Sequence, residues 1–100
     1  MVPIKTMLAH RANYGTKRGG PIDWLVMHYT ANDGDSDASN GKYFQQPLNP
    51  VASAHFFVDD DSITISVPED YVAFHCGAYH YTHPFCRNYN SIGIEMCDAK

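Results

Sequence analysis

Trp24-Leu25-Val26-Met27-His28-Tyr29-Thr30 has the length and composition of a strand buried inside a sheet. Pro21 and Asp23 bound it on one side, and Asn32-Asp33-Gly34 on the other. Strand alternation puts Trp24, Val26, His28 and Thr30 on one face, with Leu25, Met27 and Tyr29 on the other. A histidine towards the C-terminal end of such a strand stands where α/β sheets commonly place ligands. Taken alone, however, His28 fits a satisfied core histidine better than a ligand.

Outward from this strand, Ser36 or Asp37 is placed to cap a short helix running to Gln46, which Pro47 helps to stop. Ala54–Val58 and Ile63–Val67 are strand-like and joined through Asp59-Asp60-Asp61-Ser62, a hairpin of the longer-loop type. In the second, Ile63, Ile65 and Val67 share one face, and Thr64 and Ser66 the other. Residues 68–90 read as a long loop rich in aromatics and histidines, of a length that is usually functional in compact domains. Ser91–Asp98 is a last strand. Residues 1–23 are polar and punctuated by turns, and read as an arm outside the core. The order strand, helix, hairpin, loop, strand predicts an α/β domain over residues 24–100, with a mixed central sheet flanked by helices.

Glu95 changes the weight of His28. In Ile92-Gly93-Ile94-Glu95-Met96-Cys97 the apolar residues share a face and Glu95 points the other way, between Gly93 and Cys97. An unpaired carboxylate is expensive to bury, so its presence in a strand implies a partner. Desolvation raises a carboxyl pKa towards neutrality, which suits a general base. Gly93, beside it, leaves room for a ligand. The plainer reading of Glu95 is a structural salt bridge to a Lys or Arg.

The other histidines divide into two groups. His55 shares its strand face with Phe57, and His75 opens the long loop in Ala73-Phe74-His75-Cys76-Gly77. His80 and His83, among Tyr79, Tyr81 and Phe85, read as surface loop residues. No His-Glu-x-x-His and no Cys-x-x-Cys occurs, so local spacing does not establish a metal site. Asp33, Asp35 and Asp37 alternate like the start of an EF-hand loop. Ala38 and Phe44, however, stand where that loop needs Gly and Glu. Asp59 to Asp61 reads as hairpin chemistry rather than a metal cluster.

Composition sets the remaining bounds. One hundred residues with 44% hydrophobic and 13% aromatic content are globular. A net charge of -4, without a basic stripe, argues against nucleic acid as the partner. No apolar run reaches the ~18 residues of a membrane span. The first ten residues lack the pattern of a signal peptide, so synthesis without classical export is the expectation. Cys76, Cys86 and Cys97, an odd number, read as free thiols, with a Cys76–Cys86 disulfide as the alternative.

Four blocks in order resemble the type-2 N-acetylmuramoyl-L-alanine amidases, the family that includes peptidoglycan recognition proteins and T7-type lysozyme. They are Val26-Met27-His28-Tyr29-Thr30-Ala31-Asn32, Ala52-Ser53-Ala54-His55-Phe56-Phe57-Val58-Asp59-Asp60, Ala73-Phe74-His75-Cys76-Gly77 and Asn90-Ser91-Ile92-Gly93-Ile94-Glu95-Met96-Cys97. The likeness covers about residues 24–98 and extends to amidases of phages and prophages of Gram-positive bacteria. It implies an amidase/peptidoglycan-recognition fold, of which residues 24–100 are the N-terminal portion.

The resemblance also implies roles. His28 matches a zinc ligand, and Glu95 the catalytic acid/base. His75 matches a histidine bordering the substrate cleft, although Phe74 and Cys76 replace its usual Trp and Ala neighbours. His55 joins His75 as a substrate-contacting candidate, and a tyrosine that assists catalysis in some relatives is replaced by Ala54. The family takes two further zinc ligands from a segment downstream of the glutamate strand, so a piece of a longer product is expected, with a cell-wall-binding domain as a further element. Within these residues, His55 or His75 is a stand-in for a second ligand, although the family pattern places neither there. The implied cofactor is Zn2+ and the implied partner a muramyl peptide of peptidoglycan, cut between N-acetylmuramic acid and L-alanine. Tyr79, Tyr81, Phe85 and Tyr89 line a binding wall on this reading, or pack on their own core. The alternatives are a peptidoglycan-binding module of the same fold that does not cut, and a structural zinc domain.

Overall fold

The computed structural model describes residues 2–33, 36–76 and 86–98. Seven strands and one α-helix occur among them: β1 (Ile4–Thr6), β2 (Tyr14–Lys17), β3 (Trp24–Asp33), α1 (Asp37–Tyr43), β4 (Phe56–Val58), β5 (Ile63–Ile65), β6 (Tyr71–Ala73) and β7 (Ser91–Asp98). Five form one sheet in the order β1-β5-β4-β7-β3, and β2 pairs with β6 in a second. Within the large sheet β4 and β5 are antiparallel and the other pairings parallel. The mixed central sheet expected from the element order is therefore present.

Register explains what each face does. Lys5, Thr64, Phe57, Glu95 and His28 form one row across all five strands. Partners in register share a face; Thr64 and Phe57 on β5 and β4 lie in the core, whereas Glu95 and His28 on β7 and β3 are only partly covered. α1 covers the first half. Its Gly41 lies so close to β5 that an added Cβ would meet Thr64 Cγ2 at 2.8 Å. Phe57 is fully buried and stacks on Phe44, just past the helix, at 5.1 Å. Beside it a second cluster of Ala9, Val67 and Ala73 is lined by Tyr14, Phe44 and Tyr71.

The opposite row reads Ile4, Ile63, Val58, Met96, Tyr29. It is apolar throughout, yet Leu25, Met27 and Tyr29 are 70%, 59% and 63% exposed. The expectation that Trp24–Thr30 is buried on both sides is corrected accordingly. β3 is an edge strand of the sheet and only its histidine face is partly covered.

Two further expectations are revised. Residues 1–23 are tied into the fold rather than forming an arm. β1 pairs with β5, Ala9 and Asn13 are buried, and Asn13 Nδ2 donates to the carbonyls of Phe44 and Gln46. A three-residue strand gives too short a pattern to be told from a turn-rich segment. The long loop, expected over 68–90, begins later because Tyr71–Ala73 pairs with β2. The portion holding Tyr79, His80, Tyr81, His83 and Phe85 lies outside the described residues.

α1 starts where expected. Ser36 accepts from the Ser39 amide and Ser39 returns the bond, a reciprocal cap. The helix ends at Tyr43, before the expected Gln46. Asp37, at its first position, is buried and gathers three donors: Thr64 Oγ1 at 2.7 Å, Ser62 Oγ at 2.8 Å and Lys5 Nζ at 3.3 Å. This accounts for Asp37 without calcium. Asp59 Oδ1 accepts from the amides of Asp61 and Ser62, the hairpin chemistry read from the sequence. Asp37, Asp59 and Asp61 nonetheless bring oxygens within 4.8 Å of one another. Replacing Asp37 by Ala should cost roughly 2–3 kcal/mol, because the fully buried Thr64 hydroxyl loses its acceptor. Urea unfolding checks this, and a loss below about 0.5 kcal/mol would refute the role given to Asp37.

Candidate active site

β3 and β7 run parallel with Val26 opposite Gly93 and His28 opposite Glu95. Period-two alternation therefore turns His28 and Glu95 to the same side of the sheet, as neighbours. Their side chains are 29% and 21% exposed, half-sheltered and still open to a ligand, and His28 Nδ1 lies 4.0 Å from Glu95 Oε2. The two residues singled out in the sequence are thus brought together on one face of the sheet.

His75 completes the cluster from the segment after β6. Its backbone amide and that of Cys76 both donate to Asn88 Oδ1, at 3.0 and 2.8 Å, which pins the segment over β7. The ring lies directly above Gly93. A Cβ there would meet His75 Cγ at 2.5 Å, so the room that glycine leaves is filled by imidazole. His75 Nδ1 is 3.1 Å from His28 Nε2, and its Nε2 is 3.0 Å from Ser91 Oγ. Ser91 gives its own proton to the Arg87 carbonyl at 2.6 Å. The hydroxyl is then left as an acceptor, so His75 carries its hydrogen on Nε2 and presents a bare Nδ1 to His28.

His55 stands elsewhere than expected. It is fully buried, and both ring nitrogens are engaged: Nδ1 accepts from the Gly93 amide at 3.0 Å and Nε2 donates to the Tyr71 carbonyl at 2.8 Å. Its backbone also bonds Gly93, with the amide donating to the Gly93 carbonyl at 2.9 Å. His55 is a strut that holds β7 in place beneath His75, so it is corrected from substrate contact to positioning. It follows the alternation of β4 one step before the strand formally begins, and that pattern cannot distinguish a buried inward face from a cleft.

Arg18 carries no mark of its role in the sequence. Its guanidinium donates to the carbonyls of Glu69, Tyr71 and Tyr89, lacing β2 to both ends of the cleft segment. A lone arginine among turn residues gives no signal of this. Ser91 and Asn88 are hidden in the same way, since polar residues beside a strand look like ordinary punctuation.

Electrostatics follow from burial. Desolvation, then the nearby His28, His55 and Arg18, lowers the His75 pKa to about 4. Burial lowers His55 as well, against the opposing bond to Tyr71. Burial raises the Cys76 thiol, whose sulfur is 3.5 Å from His75 Nδ1. Cys76, Cys86 and Cys97 form no disulfide with one another.

These shifts fix a pH dependence. The unfolded chain takes up protons on its histidines near ~6.5, whereas folded His75 resists until about 4. In that window the unfolded state binds more protons, so stability is complete above the unfolded pKa and is lost as pH falls. His55 acts in the same direction. Allowing for partial solvent screening, the Tm near pH 5 should lie roughly 4–8 °C below that at neutrality. Thermal melts followed by circular dichroism measure this, and a Tm that held constant or rose on acidification would contradict it.

Comparison with known proteins gives a consistent result. Residues 18–100 match the family model described as N-acetylmuramoyl-L-alanine amidase. The chain is 31% identical over 102 residues to the amidase CwlA of Bacillus subtilis, covering 99% of this chain and 35% of CwlA. It is 34% identical over 94 residues to CwlL of Bacillus licheniformis, covering 86% of this chain and 26% of CwlL. The chain thus spans about a third or less of these curated relatives. Among solved structures, a mutant endolysin from Bacillus subtilis superposes with a TM-score of 0.75 at 29% identity, covering 98% of this chain and 62% of that one. The catalytic domain of XlyA gives 0.72 at 29% identity, with 99% and 64% covered.

Proposed function

The chain belongs to the N-acetylmuramoyl-L-alanine amidase family, and on that premise we propose that it contributes the catalytic cleft of an enzyme that opens bacterial peptidoglycan. The bond cut is the amide between the lactyl group of N-acetylmuramic acid and the first L-alanine of the stem peptide. The observation that carries this reading is the pairing of His28 and Glu95 in register on one face, side chains 4.0 Å apart and both reachable from solvent.

The family reading includes zinc, and the donors fit it. His28, whose side chain is partly exposed, would offer a ring nitrogen to the metal, with its Nδ1 4.0 Å from Glu95 Oε2 and its Nε2 3.1 Å from His75 Nδ1. A zinc ion held there would supply Lewis-acid polarisation of the scissile carbonyl. Glu95 takes a proton from the attacking water and returns it to the leaving amine, a transfer open to a carboxylate aimed into the cleft. His75 and Gly93 shape the floor, and His55 and Arg18, bonded beneath them, keep that floor from shifting. His75 is in reach of a bound muramyl peptide, whereas His55 is not.

Product analysis tests the reaction. Purified protein incubated with a defined muramyl peptide should release a free L-alanine amino terminus and an intact lactyl carboxylate, seen by mass spectrometry. Cleavage at a glycosidic bond or within the peptide would refute the proposal. Binding with no cleavage would favour the peptidoglycan-binding module instead.

A further inference from the structure

The two ring nitrogens of His28 have different surroundings. Nε2 lies 3.1 Å from His75 Nδ1, whereas Nδ1 lies 4.0 Å from Glu95 Oε2. The first distance is that of a hydrogen bond and the second is not. Which nitrogen carries the hydrogen is decided two side chains away, at Ser91.

We propose that Ser91 and His75 are positioning residues for the amidase reaction: Ser91 sets the tautomer of His75, and His75 holds the His28 ring with its Nδ1 lone pair turned to the side of Glu95. This rests on the zinc reading of His28 and names the nitrogen that serves it.

The donors run one way along this relay. Ser91 Oγ gives its hydrogen to the Arg87 carbonyl at 2.6 Å and accepts from His75 Nε2 at 3.0 Å. Ser91 is fully buried, so water does not compete for the bond to His75. A neutral imidazole carries one hydrogen, so His75 Nδ1 is an acceptor. The Cys76 thiol, 3.5 Å from that nitrogen, is a weak donor and leaves His28 the stronger claim. His28 meets His75 with Nε2–H. In its other neutral tautomer two lone pairs would face each other at 3.1 Å. The hydrogen would then sit on Nδ1, too far from Glu95 to make up the loss.

His75 is itself fixed. Its amide and that of Cys76 donate to Asn88 Oδ1, and its ring rests on Gly93. A ligand histidine whose second nitrogen donates to a held acceptor is how proteins orient metal-binding imidazoles. With Nδ1 engaged by His28 and Nε2 by Ser91, His75 keeps no lone pair for a metal. It is thereby removed as a stand-in second ligand.

Nitrogen-15 NMR of the histidine side chains tests this on the metal-free chain at about pH 8, where an ordinary histidine, with its pKa of ~6.5, is neutral. Wild-type His28 and His75 should both carry their hydrogen on Nε2, a readout that needs no variant to fold. In His75→Asn the side-chain oxygen falls near the place of Nδ1 and still accepts, so His28 should keep its Nε2–H form. In His75→Leu, which fills the space without an acceptor, His28 should become a mixture of tautomers. Zn2+ added to the same samples should move the His28 Nδ1 resonance. Affinity should stay within a few-fold of wild type for the Asn variant and fall roughly 10- to 100-fold for the Leu variant. A wild-type His28 with its hydrogen on Nδ1, or a Leu variant that matches the Asn variant in tautomer and affinity, overturns the inference and leaves the zinc reading standing. Tautomers as stated, with no His28 resonance moved by zinc in any of the three proteins, would overturn the zinc reading itself and with it the purpose of the relay.

Discussion

Replacing Glu95 by Gln is expected to lower amide hydrolysis by roughly 10²–10⁴-fold, the range a positioned general acid–base supplies. The substitution keeps the size of the side chain and its place in register opposite His28 and Phe57. Fold and metal affinity should therefore survive while proton transfer is lost. The amide can donate where the carboxylate accepted, and it cannot take the proton of an attacking water. Turnover of muramyl peptides by that variant within a few-fold of wild type would remove Glu95 from the mechanism.

The second large effect is expected at Gly93. An alanine there places Cβ at 2.5 Å from His75 Cγ and 2.8 Å from both Cδ2 and Nδ1. Neither side can yield easily. The Gly93 backbone is bonded through both its amide and its carbonyl to His55, and the His75 ring is held by Ser91. Overpacking of this kind costs about 1–3 kcal/mol. Because the ring displaced packs against His28, muramyl-peptide hydrolysis should fall together with stability. Urea unfolding and a hydrolysis assay on Gly93→Ala measure the two, and unchanged values in both would show that the His75 ring does not rest on this glycine.

Part of this is legible in the sequence for a definite reason. β7 and β3 have enough residues for period two to be unmistakable, so the faces of His28 and Glu95 follow from alternation alone. The four-block resemblance then turns two suspicious residues into a candidate site. The cap at Ser36 and the hairpin bonds of Asp59 are also legible, because they are local chemistry.

What escapes is non-local. β1 and β6 have three residues each and are strands only because β5 and β2 lie beside them. His55 belongs to neither core nor cleft by pattern, and only Gly93 and Tyr71 at its two nitrogens decide the matter. Arg18 acts on carbonyls more than fifty positions away, and no spacing rule reaches that far. The edge position of β3 is hidden for the same reason. An apolar run reports what a strand could bury, and its neighbours decide what is buried.

On the amidase reading, His28 and Glu95 work as one site. A double-mutant comparison tests it most directly, measuring muramyl-peptide hydrolysis for His28→Ala, Glu95→Gln and the two combined. Groups that act as a unit are strongly non-additive, so the combined variant should be no slower than the worse single variant by more than a few-fold. Losses that multiply in the combined variant would mean that the two residues act independently, and would contradict the account.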